Sequence, residues 1–225
     1  MCGRLMSALR VIAVDGPAAS GKGTLARRLA AHFDFAHLDT GSLYRAVAAR
    51  LLRQGASPQD QVAAAAAALD LQAADLAARN LRTEAVSQGA SVVAAIPEVR
   101  RNLLEYQRNF ARSPPHGKAG AVLDGRDIGT VICPDADLKI FLTASLEARV
   151  ERRFRELRAA GADTIRPRVH AEMVERDRRD SERAAAPLQA APDALKLDTS
   201  NLDEDAVFAA VLAHIKAKEI RRSAP

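Results

Sequence analysis

Along this chain, short unbroken apolar runs alternate with stripes that return every three or four residues. Val11-Ile12-Ala13-Val14 is such a run, the pattern of a strand buried on both faces of a parallel sheet. A Gly-rich turn follows, then a helix through Leu25, Leu29 and Phe33. Phe35 to Leu38 reads as a second strand, and Gly41 to Arg53 as a helix with Leu43, Val47 and Leu51 on one face. Pro58 suits the first turn of another helix, continued by the Ala63–Ala68 run, since Ala is the best helix former. Asp70 to Arg82 has no clear period and predicts no element.

Thr83 to about Ala95 is helical, and Pro97 starts a helix through Val99, Leu103, Leu104 and Phe110. Ser113–Gly117 is a loop. Ala121-Val122-Leu123 and Leu138–Leu142 are buried-strand candidates, each arriving at a polar turn. Ser145 caps a helix to about Ala159, Pro167 to Arg183 is a long helix, and Leu195-Lys196-Leu197 a last strand before a C-terminal helix. Strands alternating with helices predict an α/β domain with a parallel sheet.

Length and composition narrow this picture. With 225 residues, one domain with inserts is expected over two independent ones. About half the residues are apolar and a quarter charged, which argues against disorder. Six Phe, two Tyr and no Trp weigh against a base-stacking nucleic-acid platform. The net charge of +5 suits a nucleic-acid footprint or a phosphate-handling cleft, and the Arg weighting favours forked recognition of phosphate oxygens. Codon bias is a plain source of many of these arginines, so only placed ones carry weight. Cys2 and Cys133 have neither pairing pattern nor metal spacing and point to a reducing compartment. Met1 to Arg10 has no apolar run long enough for a signal peptide, and no segment approaches a membrane span. A cytoplasmic protein without membrane or nucleic-acid partner is expected.

Strand, then Gly16-Pro17-Ala18-Ala19-Ser20-Gly21-Lys22-Gly23-Thr24, then helix is a phosphate-binding loop in its proper context. Glycines let backbone N–H groups curl around a phosphate, the helix N-terminus adds its positive end, and Lys22 reaches the outer phosphates. The general pattern places Ser or Thr directly after the Lys as a Mg²⁺ ligand; here Gly23 stands there and Thr24 follows. Direct ligation by the loop gives way to water-mediated coordination.

A phosphate loop alone permits ATPases, GTPases, translocases and kinases. No Asn-Lys-x-Asp guanine-reading motif is present. Instead three polar clusters follow: Asp39-Thr40-Gly41-Ser42-Leu43-Tyr44-Arg45, Asp124-Gly125-Arg126-Asp127-Ile128-Gly129-Thr130 and Arg176–Arg183. They belong to the crevice beyond the carboxyl ends of a parallel sheet. Arg45, Arg126 and Arg183 suit phosphate oxygens and the charge that develops in transfer. Asp127 could hold Mg²⁺ through water or orient an arginine. Arg176, Asp180 and Arg183 lie at i, i+4 and i+7, on the face that begins with Val169 and Met173. Charges that continue an apolar stripe face a site and not solvent.

With the phosphate loop, Asp-Thr-Gly-x-x-Tyr-Arg and Asp-Gly-Arg-Asp-Ile-Gly-Thr closely resemble bacterial cytidylate kinases, from Val11 to about Asp198. The resemblance implies a P-loop NTPase-type core with a central parallel sheet flanked by helices. It adds a mainly helical acceptor-binding insert at about 45–112 and a short lid at about 155–170. It implies transfer of the terminal phosphoryl group of ATP to CMP or dCMP by a monomer, with Mg²⁺ held through water near Thr24 and Asp127. Catalytic roles would fall to Lys22, Arg126, Asp127 and Arg183. Acceptor contacts would fall to Thr40, Arg45, Ser91, Arg100, Arg126, Arg176, Asp180 and Arg183, with Ser91 and Arg100 on the cytosine edge.

The nucleophile of that reaction is an already ionised phosphate oxygen, so no base is needed. None of His32, His37, His116, His170 and His214 stands in a recognisable constellation. Arg149–Gly161–Arg168 is the candidate lid. Longer cytidylate kinases carry a small β-sheet insert before the Ser91-like position; here Asp70 to Arg82 is too short and Ala-rich for one, so a helical lobe is expected. The rivals are a P-loop kinase for another small acceptor and a nucleic-acid-binding ATPase.

Overall fold

The computed structural model describes residues 9–78 and 81–223. Cys2 and most of the Met1–Arg10 stretch lie outside the described residues. Five parallel strands form one sheet: β1 (Val11–Asp15), β2 (Ala36–Asp39), β3 (Ala121–Gly125), β4 (Leu138–Thr143) and β5 (Leu195–Asp198), in spatial order β2-β3-β1-β4-β5. The helices are α1 (Lys22–Phe33), α2 (Thr40–Arg53), α3 (Gln61–Leu69), α4 (Ala73–Leu76), α5 (Glu84–Val93), α6 (Pro97–Arg112), α7 (Leu146–Ala159), α8 (Arg166–Glu182) and α9 (Glu204–Ser223).

The unbroken apolar runs become strands because both sheet faces are covered. Ile12 and Val14 point into a core with Leu25 and Leu29 of α1 and Val207 and Val211 of α9, whereas Ala13 points oppositely, toward Leu38, Leu123 and Ile128. A separate apolar cluster holds the helical lobe together: Leu43, Val47 and Leu51 of α2 against Ala64, Val93 and Val99. A smaller one joins α7 to α8 through Val150, Leu157, Val169 and Met173.

Local chemistry moves several predicted boundaries. Asp34 takes a left-handed conformation (φ 55°) that ends α1, so β2 begins at Ala36 and Phe35 stays outside it. Pro58 lies in a turn before α3; the cap is Asp60, whose carboxylate accepts the Ala63 N–H at 3.0 Å. Between residues 69 and 90 the described residues contain no strand, as expected of a shortened insert. The short α4 that stands there is pinned by charge: Arg53 Nη2 lies 3.0 Å from Asp75 Oδ1 and Arg50 Nη1 3.4 Å from its Oδ2. The polar turn after β3 closes as a π-helical turn over Ile128–Ile132.

Candidate active site

The carboxyl ends of β1 and β3 open onto one cleft of about 520 Å³, where ligands bind in open parallel sheets. On the β1 side stands the phosphate loop. A Cβ at Gly16 would collide with the Leu142 carbonyl, so only glycine lets the chain pass β4 there. Gly21 caps α1 with φ 89°, again a glycine conformation. Ala18, Ala19 and Gly21 to Thr24 line the cleft; Gly16, Pro17 and Ser20 shape the loop behind them. The Ser20 hydroxyl is buried without a partner. Lys22 Nζ donates to the Pro17 carbonyl at 3.1 Å, and burial, with Arg126 nearby, pushes its ammonium down to about 7.

Opposite the loop, the second and third clusters converge. Arg126 Nε donates to Asp180 Oδ2 at 2.7 Å. Burial raises the Asp180 carboxyl, but Arg126 and Arg176 outweigh it and hold the group below the usual range. The Arg176 Nε has no hydrogen-bond partner, and burial, with Arg126 beside it, lowers this guanidinium to about 10. Arg45 donates to Asp39 at 2.5 Å, while its own Nε stays buried and unpartnered. Unpaired donors of two arginines, Arg45 and Arg176, therefore border one cleft.

A second group of side chains fills the far end. Asp127 is 5% exposed and carries two arginines: Arg100 Nη2 on Oδ2 and Arg183 Nη2 on Oδ1 at 3.5 Å. The Asp127 carboxylate thus orients two arginines. The Arg100 guanidinium sits 5.7 Å from the Tyr44 ring centroid. Ser91 lines this end with a buried hydroxyl that has no partner. The cleft therefore gathers Thr40, Arg45, Ser91, Arg100, Arg126, Asp127, Arg176, Asp180 and Arg183 with the phosphate loop.

Several residues here escaped the sequence reading. His37, which stands in no constellation recognisable from sequence, has its Nε2 2.7 Å from Asp124 Oδ1. Asp124 is 3% exposed, and its other oxygen lies 3.7 Å from where a Cβ on Gly23 would stand. Thr40 Oγ1 donates to the Asp124 carbonyl at 2.8 Å, so that hydroxyl braces the strand end. Asp15 accepts the Ile128 and Gly129 N–H groups, both at 2.8 Å, and ties the phosphate loop to the Asp127 turn.

Arg149, read as lid, is instead buried at the foot of α7. It forks onto Asp177 at 3.0 and 2.7 Å and reaches the Ala18 carbonyl at 3.5 Å. A second cavity of about 250 Å³ adjoins the loop, lined by Leu25, Arg152, Thr199, Leu202 and Val207. Arg152 links it to the loop through Thr199 Oγ1 at 3.0 Å and the Ala19 carbonyl at 3.4 Å. Of Asp198, Thr199 and Ser200 at the end of β5, Thr199 lines this cavity.

A phosphate loop facing arginines, two of which keep an unpartnered N–H group, suits transfer between two polyanions, and the sequence as a whole matches proteins of that kind. The family model described as cytidylate kinase matches residues 12–217. The chain belongs to the cytidylate kinase family.

Among its relatives, the cytidylate kinase of Paramagnetospirillum magneticum is 57% identical over 208 residues, spanning 92% of this chain and 98% of that protein. That of Rhodospirillum rubrum is 57% identical over 211 residues, spanning 92% and 99%. An uncharacterized protein from Eubacterium ventriosum shares the fold, with a TM-score of 0.51 at 13% identity over 92% of this chain and 98% of its own. As a member of the cytidylate kinase family the protein is a kinase. Among the described residues no helix is long and apolar enough to cross a membrane.

Proposed function

We propose that the protein transfers the terminal phosphoryl group of ATP to CMP or dCMP, giving ADP and CDP or dCDP. The observation that carries the acceptor is the far end of the cleft. There the Asp127 carboxylate, held by Arg100 and Arg183, stands with the unpartnered Ser91 hydroxyl. Cytosine offers two acceptors, O2 and N3, and an amino donor. Arginine N–H groups suit the acceptors and a carboxylate suits the amino group, whereas uracil would turn a carbonyl toward that carboxylate.

In this reading the acceptor phosphate lies among Arg45, Arg126 and Arg176, and Asp180 with Arg176 serves its ribose and phosphate. Lys22 and the phosphate loop hold ATP, whose adenine fits the cavity lined by Thr199, Leu202 and Val207. An acceptor phosphate oxygen is ionised at neutral pH, so its attack needs no proton removed. Aligning the two anions can supply up to ~7–11 kcal/mol of the barrier. Arg126, Arg176 and Lys22, aimed at the same space, stabilise the charge spreading over the transferring group. Arg183 acts from the other side, by fixing Asp127 and reaching the acceptor.

For Mg²⁺ the donor set is hard oxygen: the Thr24 hydroxyl and the free Asp124 oxygen beside Gly23. Mg²⁺ keeps several waters and is held largely through substrate phosphates, so few oxygens from the chain suffice. Asp127, engaged by two arginines, yields its expected place near the metal to Asp124. The ion would supply charge neutralisation on the ATP phosphates.

We assign the acceptor lobe to about 45–112 and a lid to about 155–170, beyond the buried Arg149 anchor; closing it excludes water as a rival acceptor. All assigned residues come from one chain, so we propose that a monomer suffices, working in the cytoplasm. Steady-state turnover with a panel of nucleoside monophosphates tests the acceptor. CMP and dCMP should exceed AMP at least about tenfold in kcat/KM; a smaller margin removes the assignment.

A further inference from the structure

The acceptor lobe and the lid touch through charge, not through a common core. Among the described residues their buried apolar clusters share no member: Leu43, Val47, Val86 and Val93 belong to one, Val150, Leu157, Val169 and Met173 to the other. What joins them is a chain of polar contacts. Arg179 Nη2 of α8 donates to Gln88 Oε1 at 2.9 Å, and Gln88 Nε2 donates to Glu84 Oε1 at 2.9 Å. The other Glu84 oxygen accepts Arg153 Nη2 of α7 at 3.0 Å, and Arg153 Nη1 lies 3.0 Å from Glu156 Oε2. The Arg153 and Glu84 side chains are only 17% and 27% exposed, so water screens the pair weakly.

Glu84, Gln88 and Ser91 lie at i, i+4 and i+7 of α5 and share one helix face. The opposite face, through Val86, Ala90 and Val93, is locked into the lobe's core. A ten-residue helix fixed in this way moves as one body. Whatever seats against Ser91 therefore sets where Glu84 stands relative to the lid.

We infer that Glu84 is a positioning residue for phosphoryl transfer: it clasps Arg153, on α7 at the base of the lid, to the helix face carrying Ser91, so that an acceptor seated at Ser91 holds the lid shut. The inference rests on the acceptor site proposed above. With the clasp open, water reaches the cleft and ATP plus water gives ADP and inorganic phosphate in competition with transfer.

The test is a cycle of Glu84→Ala, Arg153→Ala and the double variant, each checked for an unchanged melting temperature. Glu84→Ala should lower kcat about fivefold to tenfold with KM for ATP within about twofold, and raise the share of ATP lost to hydrolysis. In the Arg153→Ala background the same substitution should change kcat less than about twofold. An equal loss in both backgrounds, or no loss in a folded Glu84→Ala protein, overturns the proposal. Should Glu84→Ala melt early, Glu84→Gln takes its place, with the same comparison in both backgrounds. Backbone hydrogen exchange over residues 159–164, with ADP and the preferred acceptor bound, gives a readout apart from turnover. Protection there should fall in Glu84→Ala, and unchanged protection counts against the clasp. Wild-type enzyme assayed beside these variants separates the two readings: if another monophosphate outruns CMP, the acceptor assignment fails, and the coupling is read with that acceptor.

Discussion

Arg126 and Asp180 meet across the cleft from two distant segments, Nε donating to Oδ2 at 2.7 Å with side chains 14% and 6% exposed. The pair lets a third charge, Arg176, stand beside them with its Nε unpartnered. Removing one member of a buried pair costs about 3–5 kcal/mol because the other is left uncompensated. Asp180→Ala should therefore lower the melting temperature, since Arg126 and Arg176 then repel each other. Arg126→Ala leaves Asp180 still compensated by Arg176 and Arg183, so it should give a folded enzyme whose kcat falls about 10²–10³-fold, the loss expected for one preorganised charge at a transferring group. A near-wild-type rate in a folded Arg126→Ala protein removes Arg126 from the transferring phosphate.

Lys22 gives a proton-linked signature of ATP binding. Its ammonium is pushed down to about 7 by burial and then by Arg126, so at pH 8 the free enzyme holds it mostly neutral. Phosphate oxygens against Nζ favour the charged form and draw the value up, so binding must take up a proton. Calorimetry in two buffers of different ionisation enthalpy should give an uptake of about one proton at pH 8, falling toward zero by pH 6. Lys22→Met should lose this uptake; an equal uptake in that variant assigns the proton to another group.

The phosphate loop, the strands and the inward stripe of α8 were legible because each rests on local pattern. Val169, Met173, Asp180 and Arg183 share one face by spacing, and all four are buried. Contacts made across the sheet were not. His37 shows no constellation in the sequence because its partner, Asp124, lies 87 residues away on the neighbouring strand. Arg149 reads as lid because nothing near it in sequence announces the Asp177 fork that buries it. The helix α4 has no hydrophobic period; it is held by Arg50 and Arg53, reaching over from α2. Pro58 drew the start of α3 too early, since the Asp60 cap decides it.

Selection of the base should rest on Asp127. Its carboxylate fixes Arg100 and Arg183 and is the acceptor that an amino group requires. Asp127→Asn keeps the shape but offers an amide N–H where cytosine presents its own donor. The kcat/KM for CMP should drop about 10²-fold or more, while that for UMP changes by less than about tenfold. Equal losses for the two acceptors mean that Asp127 serves the arginines alone.

Asp15 should leave a mark on stability whose sign differs from that of the paired carboxylates. Burial raises its pKa from 3.8 to about 6, against the two backbone N–H groups that favour the anion. Between about pH 4 and pH 6 the folded state thus binds more protons here than the unfolded chain. Stability contributed by this group is complete below about pH 4 and is lost as pH rises through about 6, by an amount on the order of 3 kcal/mol. Asp180, held low by Arg126, runs the other way: its contribution is present above the unfolded value and is lost as pH falls. The two are separated by difference. Urea titrations of wild type and Asp15→Asn at pH 4, 5, 6 and 7 should show the wild-type advantage shrinking as pH rises to 6 and levelling beyond. An advantage that grows over that range would mean Asp15 is ionised throughout, held as the anion by Ile128 and Gly129.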